Sequence, residues 1–251
     1  MRTLAEPTEP VDRSLPWWQP TTARRRPLLD VERIVDGAVR LLDEAGIDGL
    51  SLRRLAADLG VAAASVYWHV PNKQALLDVV LDRLLGEVRT DITLDPAATW
   101  RAQLAEVCRG LRRVVLRHPA VAPLLGQRLP VGPNGLALLE VTMQVLARAG
   151  FVGQRLALAH GAIIGYASGQ VVIAARRPGS AGGAEWTADD QAGGLGRLLR
   201  QAPRTQYPAL FEMADELANV GDEAQFEYGL QRMLDGLEQD LRGGAAPRRR
   251  F

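Results

Sequence analysis

Tyr67, Trp68 and His69 stand side by side, and Asn72 and Lys73 follow closely. A phenol, an indole and an imidazole share one ability, donation of a hydrogen bond to an oxygen. Asn72 is a good N-cap, so the next helix presents free backbone N–H groups at its start, where an anion is favoured. Lys73 adds a point charge there. Successive helical side chains point about 100° apart, so three in a row fan over more than half the circumference, and a core takes only one or two. Donors projecting from a helix end suit the oxygens of a phosphate backbone. The other reading of Tyr67 and Trp68 taken singly, as packing residues between helices, stays open here.

The elements that must hold these groups follow from apolar spacing. Val31, Ile34, Val35, Ala38, Leu41, Leu42 and Ala45 recur at three- and four-residue steps until Gly46, which predicts a first helix from Asp30. Ser51 is an N-cap for a second, with Leu50 and Leu55 as a hydrophobic staple. A third covers Ala63 to His69. Asn72 opens a fourth with Leu76, Leu77, Val80, Leu81, Leu84, Leu85 and Val88 inside. Between the second and third, Ala56 is small enough for a close crossing, Gly60 tolerates a positive φ, and Leu55, Leu59, Val61 and Val66 supply anchors. This is a helix-turn-helix arrangement, whose second helix enters a major groove.

Beyond Asp95–Pro96 the helical pattern resumes over 100–117, 136–149, 152–177, weakly over 188–201, and again over 222–242. Strand signals are nearly absent. The fold class expected is all-α: a flexible arm (1–27), a three-helix helix-turn-helix DNA-binding domain with its connecting helix (28–90), a larger helical ligand-binding and dimerisation domain (91–242), and a tail (243–251). Residues 156–175 are long enough for a bilayer, yet they carry His160, Ser168 and Gln170 between arginines, and are read as a helix buried between helices. Gly161, Gly165 and Gly169 share one face of it, where backbones can approach closely.

Composition narrows the function. Apolar residues make up 47% and charged residues 24%, with a net charge of +1, so overall charge names no partner. Cys108 is the only cysteine, which excludes an internal disulfide and fits a reducing, cytoplasmic setting. One Cys and three His offer no metal-ligand spacing. The motif G-x-S-x-G, a phosphate loop and a dinucleotide fingerprint are missing, so neither an enzyme nor a cofactor is expected. One count opposes DNA binding: residues 28–90 hold seven Arg/Lys against ten Asp/Glu, a net of −3. Many of those acids belong to the first helix, and the stretch from Gly60 to Ala75 holds Lys73 and no acid.

The stretch "LSLRRLAADLGVAAASVYWHVPNKQALLDVVLDRLL" resembles the DNA-binding domain of the TetR family of bacterial transcriptional regulators, most closely in G-V-x3-S-V-Y-W-H-V-x-N-K-x-A-L-L. Trp100, "RHP" at 117–119, "AGF" at 149–151 and "FEYGLQRMLDGLE" are similar, with lower specificity, to the tetracycline-repressor-like C-terminal domain. The resemblance implies DNA-contacting positions at Ser51, Arg53, Ala63, Ala64, Ser65, Tyr67, Trp68, His69 and Lys73. Ala62, Ala63 and Ala64 depart from relatives with longer side chains there and offer only methyl contacts, for instance to thymine. Arg24, Arg25 and Arg26 precede the first helix, either as a minor-groove arm or as a solvated basic stretch.

The same resemblance implies a homodimer, paired through helices near 152–177 and 222–242 as a four-helix bundle; monomer core is the other reading of those faces. It implies a ligand-responsive repressor released from double-stranded operator DNA by a small-molecule effector. An activator, or a sequestering protein of the same fold, is the alternative. Leu125 and Ile173 fall where the namesake repressor places a His and a Glu on the drug's magnesium, so the effector expected is largely apolar. Candidate ligand-binding residues are Trp100, Leu104, Val107, Leu111, His118, Leu125, Arg128, Thr142, Met143 and His160. No metal and no membrane are expected as partners.

Overall fold

The structure, a computed structural model, describes residues 29–175, 200–201 and 203–243. Arg24, Arg25 and Arg26, most of the weak helix expected over 188–201, and the tail from residue 244 lie outside them. All regular structure among the described residues is helical.

Helix α1 spans Val31–Gly49. Asp30 caps it by accepting from the Arg33 N–H at 2.8 Å, and Ile34, Val35, Ala38, Leu41 and Leu42 are buried. Gly46 leaves helical geometry at φ 67°, so the regular helix breaks where the apolar pattern stops. Helices α2 (Leu52–Asp58) and α3 (Ala63–His69) follow. The Ser51 hydroxyl caps α2 by accepting from the Arg54 N–H at 3.1 Å. At the other end of α2, the Val61 N–H reaches the Ala56 carbonyl at 3.0 Å and the Gly60 N–H reaches that of Ala57 at 3.2 Å. With Gly60 at φ 68°, this is a Schellman turn, which sets the angle at which α3 leaves α2. Where α1 and α2 cross, a Cβ on Gly37 would come within 2.9 Å of Leu55 Cδ1, so a larger residue would push the helices apart.

Helix α4 (Lys73–Asp91) buries Ala75, Leu76, Leu77, Val80, Leu81, Leu84, Leu85 and Val88. It packs against α1 on one side and against α5 (Trp100–Arg117) and α7 (Pro133–Ala149) on the other. Each buried leucine contributes about 2 kcal/mol relative to exposure, so α4 is fixed to both halves at once. The apolar cluster is continuous from Leu29 to Leu237 and crosses residue 90 without a break.

Beyond α5 come a 3-10 turn (Pro119–Val121) and α6 (Leu124–Gln127). After α7 come α8 (Gly153–Ala174), α9 (Pro208–Glu212), α10 (Ala214–Asn219) and α11 (Asp222–Gly243). α8 packs on α5, α6, α7 and α11. The 3-10 turn, α6, α9 and α10 have no counterpart in the sequence reading. Each is six residues or fewer, too short for an apolar period to register.

Candidate DNA-binding face and effector cavity

Helix α3 buries one residue, Val66. That single anchor and the Schellman turn leave its other side chains outward. Tyr67 is 46% exposed and Trp68 74%, which sets aside the packing reading for both rings. His69 is half-buried and meets the Trp68 ring edge-on at 4.7 Å. Ala64 and Ser65 are exposed and Ala63 is half-buried. Ser51 and Arg53 are exposed at the start of α2. Among the described residues Arg53 has no hydrogen bond or ion pair, whereas its neighbour Arg54 donates to the Gly49 carbonyl at 3.2 Å.

Lys73 differs from the expectation of a free point charge. Its Nζ donates to the Ile47 carbonyl at 2.5 Å and is half-buried. That carbonyl also accepts from the Leu50 N–H at 3.3 Å at the end of α1, so the ammonium adds a second bond to it while keeping two donors. Asn72 caps α4 as read from the sequence, accepting from the Ala75 N–H at 2.8 Å.

Half of the ten acids that made 28–90 negative meet partners away from α3. Asp58 pairs with Arg40 at 3.0 Å, Asp78 with Arg128 at 2.5 Å and Glu87 with Arg83 at 3.0 Å. Asp82 accepts from the Asn134 and Gly135 N–H groups at 3.0 and 2.9 Å, and so caps α7. Asp43 lies 3.3 Å from His118. Four of these five carboxylates thus meet partners on α4 itself or in the larger half, and α3 carries none.

A cavity of about 460 Å³ opens between α4, α5, α6, α7 and α8, within the size range of small-molecule sites. Leu81, Leu85, Val107, Leu111, Leu138 and Ile164 form much of its wall. Six of the ten candidate ligand residues line it: Val107, Leu111, Leu125, Arg128, Thr142 and His160. Trp100, Leu104, His118 and Met143 do not. Trp100 packs edge-on against Phe151 at 6.1 Å, and Leu104 is fully buried in the core. His118 instead bridges α1 and α4, with Nδ1 3.3 Å from Asp43 and Nε2 3.6 Å from Glu87. The segment 129–135, which has no long apolar period, went unread in the sequence although Leu129, Pro130, Val131 and Gly135 border the cavity; Leu136, the first residue of the helix expected over 136–149, borders it as well.

The polar groups of the lining are few. The Thr142 hydroxyl donates to the Leu139 carbonyl at 2.8 Å, which leaves it able only to accept. Burial pushes the His160 imidazole below its ordinary value, so it stays neutral. Arg128 is the one charged side chain of the lining. A second hollow, of about 660 Å³, lies between Leu42–Asp48 and Pro119–Gln127, and Asp43, Glu44 and Asp48 make it acidic.

Helix α8 is not enclosed on all sides as the sequence suggested. Ala159, Ile163, Ala167 and Val171 are buried. Leu158, Gly161, Ala162, Gly165, Gly169 and Ile173 are exposed, and a Cβ on any of these three glycines would meet nothing within 4 Å. With a mean hydropathy of 1.5, α8 is long and apolar enough to cross a membrane. Beside it α11 is held firmly to α5. Arg109 donates two bonds to the Glu227 carboxylate, both 2.7 Å, which holds that carboxyl below its usual range. Arg101 reaches Asp235 at 2.6 Å and Glu238 at 2.9 Å. Cys108 is buried among these helices, its thiol pushed up to about 12 by burial, so it makes no nucleophile at neutral pH.

Known proteins bear on both halves. Residues 34–80 match the model of bacterial regulatory proteins of the tetR family, and residues 93–241 match the tetracyclin repressor-like C-terminal domain. A transcriptional regulator of the HTH type from Saccharopolyspora erythraea is 36% identical over 88% of this chain and 90% of its own. The HTH-type transcriptional repressor DrrR1 of Streptomyces coeruleorubidus is 32% identical over 88% of this chain and 83% of its own. The structure of ActR from Streptomyces coelicolor, a TetR family protein in complex with actinorhodin, superposes with a TM-score of 0.74 at 33% identity, over 85% of this chain and 98% of that one.

Proposed function

The chain belongs to the TetR family of bacterial transcriptional regulators and is a DNA-binding repressor that answers to a ligand; from that premise we propose how this particular molecule divides the work. Ser51, Arg53, Ala63, Ala64, Ser65, Tyr67, Trp68, His69 and Lys73 form the operator-facing surface, with Arg24, Arg25 and Arg26 as an arm beside it. The observation that carries this is the exposure of Tyr67 and Trp68 on a helix anchored by one buried valine. Exposed aromatic rings with polar tips cost solvation unless a partner uses them. Arg53 and Ser65 read bases, while Tyr67, Trp68, His69 and the spare donors of Lys73 grip phosphates. We keep the division into a DNA-binding domain (28–90) and an effector and dimerisation domain (91–242).

Two copies pair through α8 and α11. The open glycine-lined face of α8 supports a second helix there more than lipid: small residues let two backbones approach closely, and the half-buried Gln170 interrupts the apolar surface. A two-fold dimer sets two α3 helices about 34 Å apart, one turn of duplex. The protein acts in the cytoplasm, where its operator is.

The effector occupies the 460 Å³ cavity. ActR binds actinorhodin in a homologous fold, and the leucine-rich lining favours a planar, largely apolar molecule here as well. Its lining holds one imidazole and no carboxylate, which does not suit a magnesium-chelated drug. Bound effector favours a dimer whose α3 helices no longer match successive grooves. The test is a duplex selected by the protein from a random pool. Tyr67→Ala should weaken binding to every duplex, and Arg53→Ala should relax specificity at the base it reads. Unchanged affinity in both variants would remove α2 and α3 from the interface.

A further inference from the structure

Arg128 stands between the cavity and the start of α4, and its bonds give the effector a chemical requirement. Nε donates to Asp78 Oδ1 at 2.5 Å, Nη1 to Gln74 Oε1 at 2.6 Å and Nη2 to the Gln74 carbonyl at 2.6 Å. All three bonds end on one turn of α4, directly after Asn72 and Lys73. The two sides of this contact differ in exposure. The Arg128 side chain is 13% exposed and Asp78 31%, while Gln74 is open to solvent. If the contact opens, Asp78 and Gln74 return to water. The guanidinium, the less exposed side, regains less water, and a largely covered cation left without acceptors is unfavourable. A purely apolar molecule therefore has no means of opening it, whereas one that brings an anionic oxygen replaces the lost acceptors.

The rest of the lining points the same way. Arg128 is its sole cation and faces no carboxylate of the lining; His160 is neutral, Thr142 has spent its proton, and Ser168 adds one uncharged hydroxyl. One turn further along α4, Asp82 still holds the start of α7 through Asn134 and Gly135. Release at Arg128 thus frees the end of α4 nearest α3 and leaves the remainder tied.

We infer that the effector is an acidic aromatic molecule, and that its carboxylate draws Arg128 off Gln74 and Asp78, uncoupling the start of α4 from the cavity wall. This rests on the effector reading of the cavity, and the experiment separates the two. Anthracene-2-carboxylate and its methyl ester are titrated into the full-length protein and followed by probe fluorescence. The acid should bind about tenfold more tightly than the ester, as expected for a charge-assisted bidentate pair. Arg128→Met should erase that preference and leave ester affinity within about twofold, because only packing remains. Asp78→Asn, on the exposed side, should raise acid affinity about threefold by removing a rival carboxylate. With the selected duplex present, the acid should lower DNA affinity and the ester should not. Equal binding of acid and ester, a preference that survives Arg128→Met, or release of DNA by the ester overturns the inference while the cavity reading stands. Failure of both compounds to bind overturns the cavity reading and the inference together.

Discussion

Helices α3 and α8 each leave a face uncovered, and the two faces carry opposite chemistry. On α3 the open residues are large and end in hydrogen-bond donors: Tyr67, Trp68 and, half-covered, His69. On α8 they are mainly small or aliphatic, with glycines at 161, 165 and 169 flanked by Leu158 and Ile173. The first face can satisfy a charged, hydrated partner at arm's length. The second offers nothing to a polar partner and everything to another helix backbone. Length separates them as well. A seven-residue α3 with one buried side chain is a passenger on its neighbours, while α8, at 22 residues, is a structural beam. The lesson is that exposure by itself says little; the polar tips of the exposed groups tell nucleic acid from protein.

The sharpest way to break this contrast is to spoil the α8 face. Gly169→Arg adds a long charge where a Cβ meets nothing in the single chain, so the monomer should fold normally. Sedimentation should then show monomers, and operator affinity should fall about a hundredfold as bivalency is lost; a dimer of wild-type affinity would return the face to solvent or lipid. Next, Val66→Ala removes the one anchor of α3 and should cost about 2 kcal/mol in urea unfolding. A cost near zero would show that α3 is positioned by something other than its buried valine.

Tyr67→Ala should be milder, about fivefold weaker DNA binding with the melting temperature unchanged, as fits one lost phosphate contact. Lys73→Ala separates from it. Because the ammonium also caps Ile47, this variant should lose stability as well as DNA affinity, and a loss of affinity alone would mean that the 2.5 Å contact carries no weight in solution.

Two smaller effects concern pH, one in the pair that ties α11 to α5 and one on the beam itself. Arg109 holds the Glu227 carboxyl below its ordinary 4.5. The stability this pair supplies is complete above pH 4.5 and is lost as pH falls through the depressed folded value. Glu227→Gln should therefore be less stable at pH 7 and show a shallower loss on acidification; parallel curves would deny the pair a role. Burial likewise keeps His160 below its ordinary 6.5. Unfolding then takes up a proton, so stability declines as pH drops below 6.5. Urea titrations at pH 7.5 and 5.5 should show this slope in the wild type and its absence in His160→Gln.

Much of the small domain was legible in the order of residues. Its caps at Ser51 and Asn72, the glycine at the turn and the leucines of α4 at three- and four-residue steps are local devices, and each formed as its spacing required. The larger half was less legible. Val107, Leu111, Leu125, Arg128, Thr142 and His160 converge on the cavity, but Trp100, Leu104, His118 and Met143, drawn from the same resemblance, stand elsewhere. A helical period says which side of a helix is inside, and not whether that inside is solid core or hollow. For the same reason Leu104 in the core and Leu111 at the cavity look alike in the sequence, two turns apart on the same face of α5.

The chain's own letters therefore determined the helix-turn-helix, its capping and the donors at the end of α3, because those depend on neighbours within a few residues. Only the tertiary structure decided that Lys73 is spent on Ile47, that the acids of α4 serve the larger half, that one side of α8 is bare, and that Arg128 joins cavity to α4. Each of those joins groups 26 residues or more apart, or depends on a packing partner far along the chain, and no local period records which distant surface a side chain will meet.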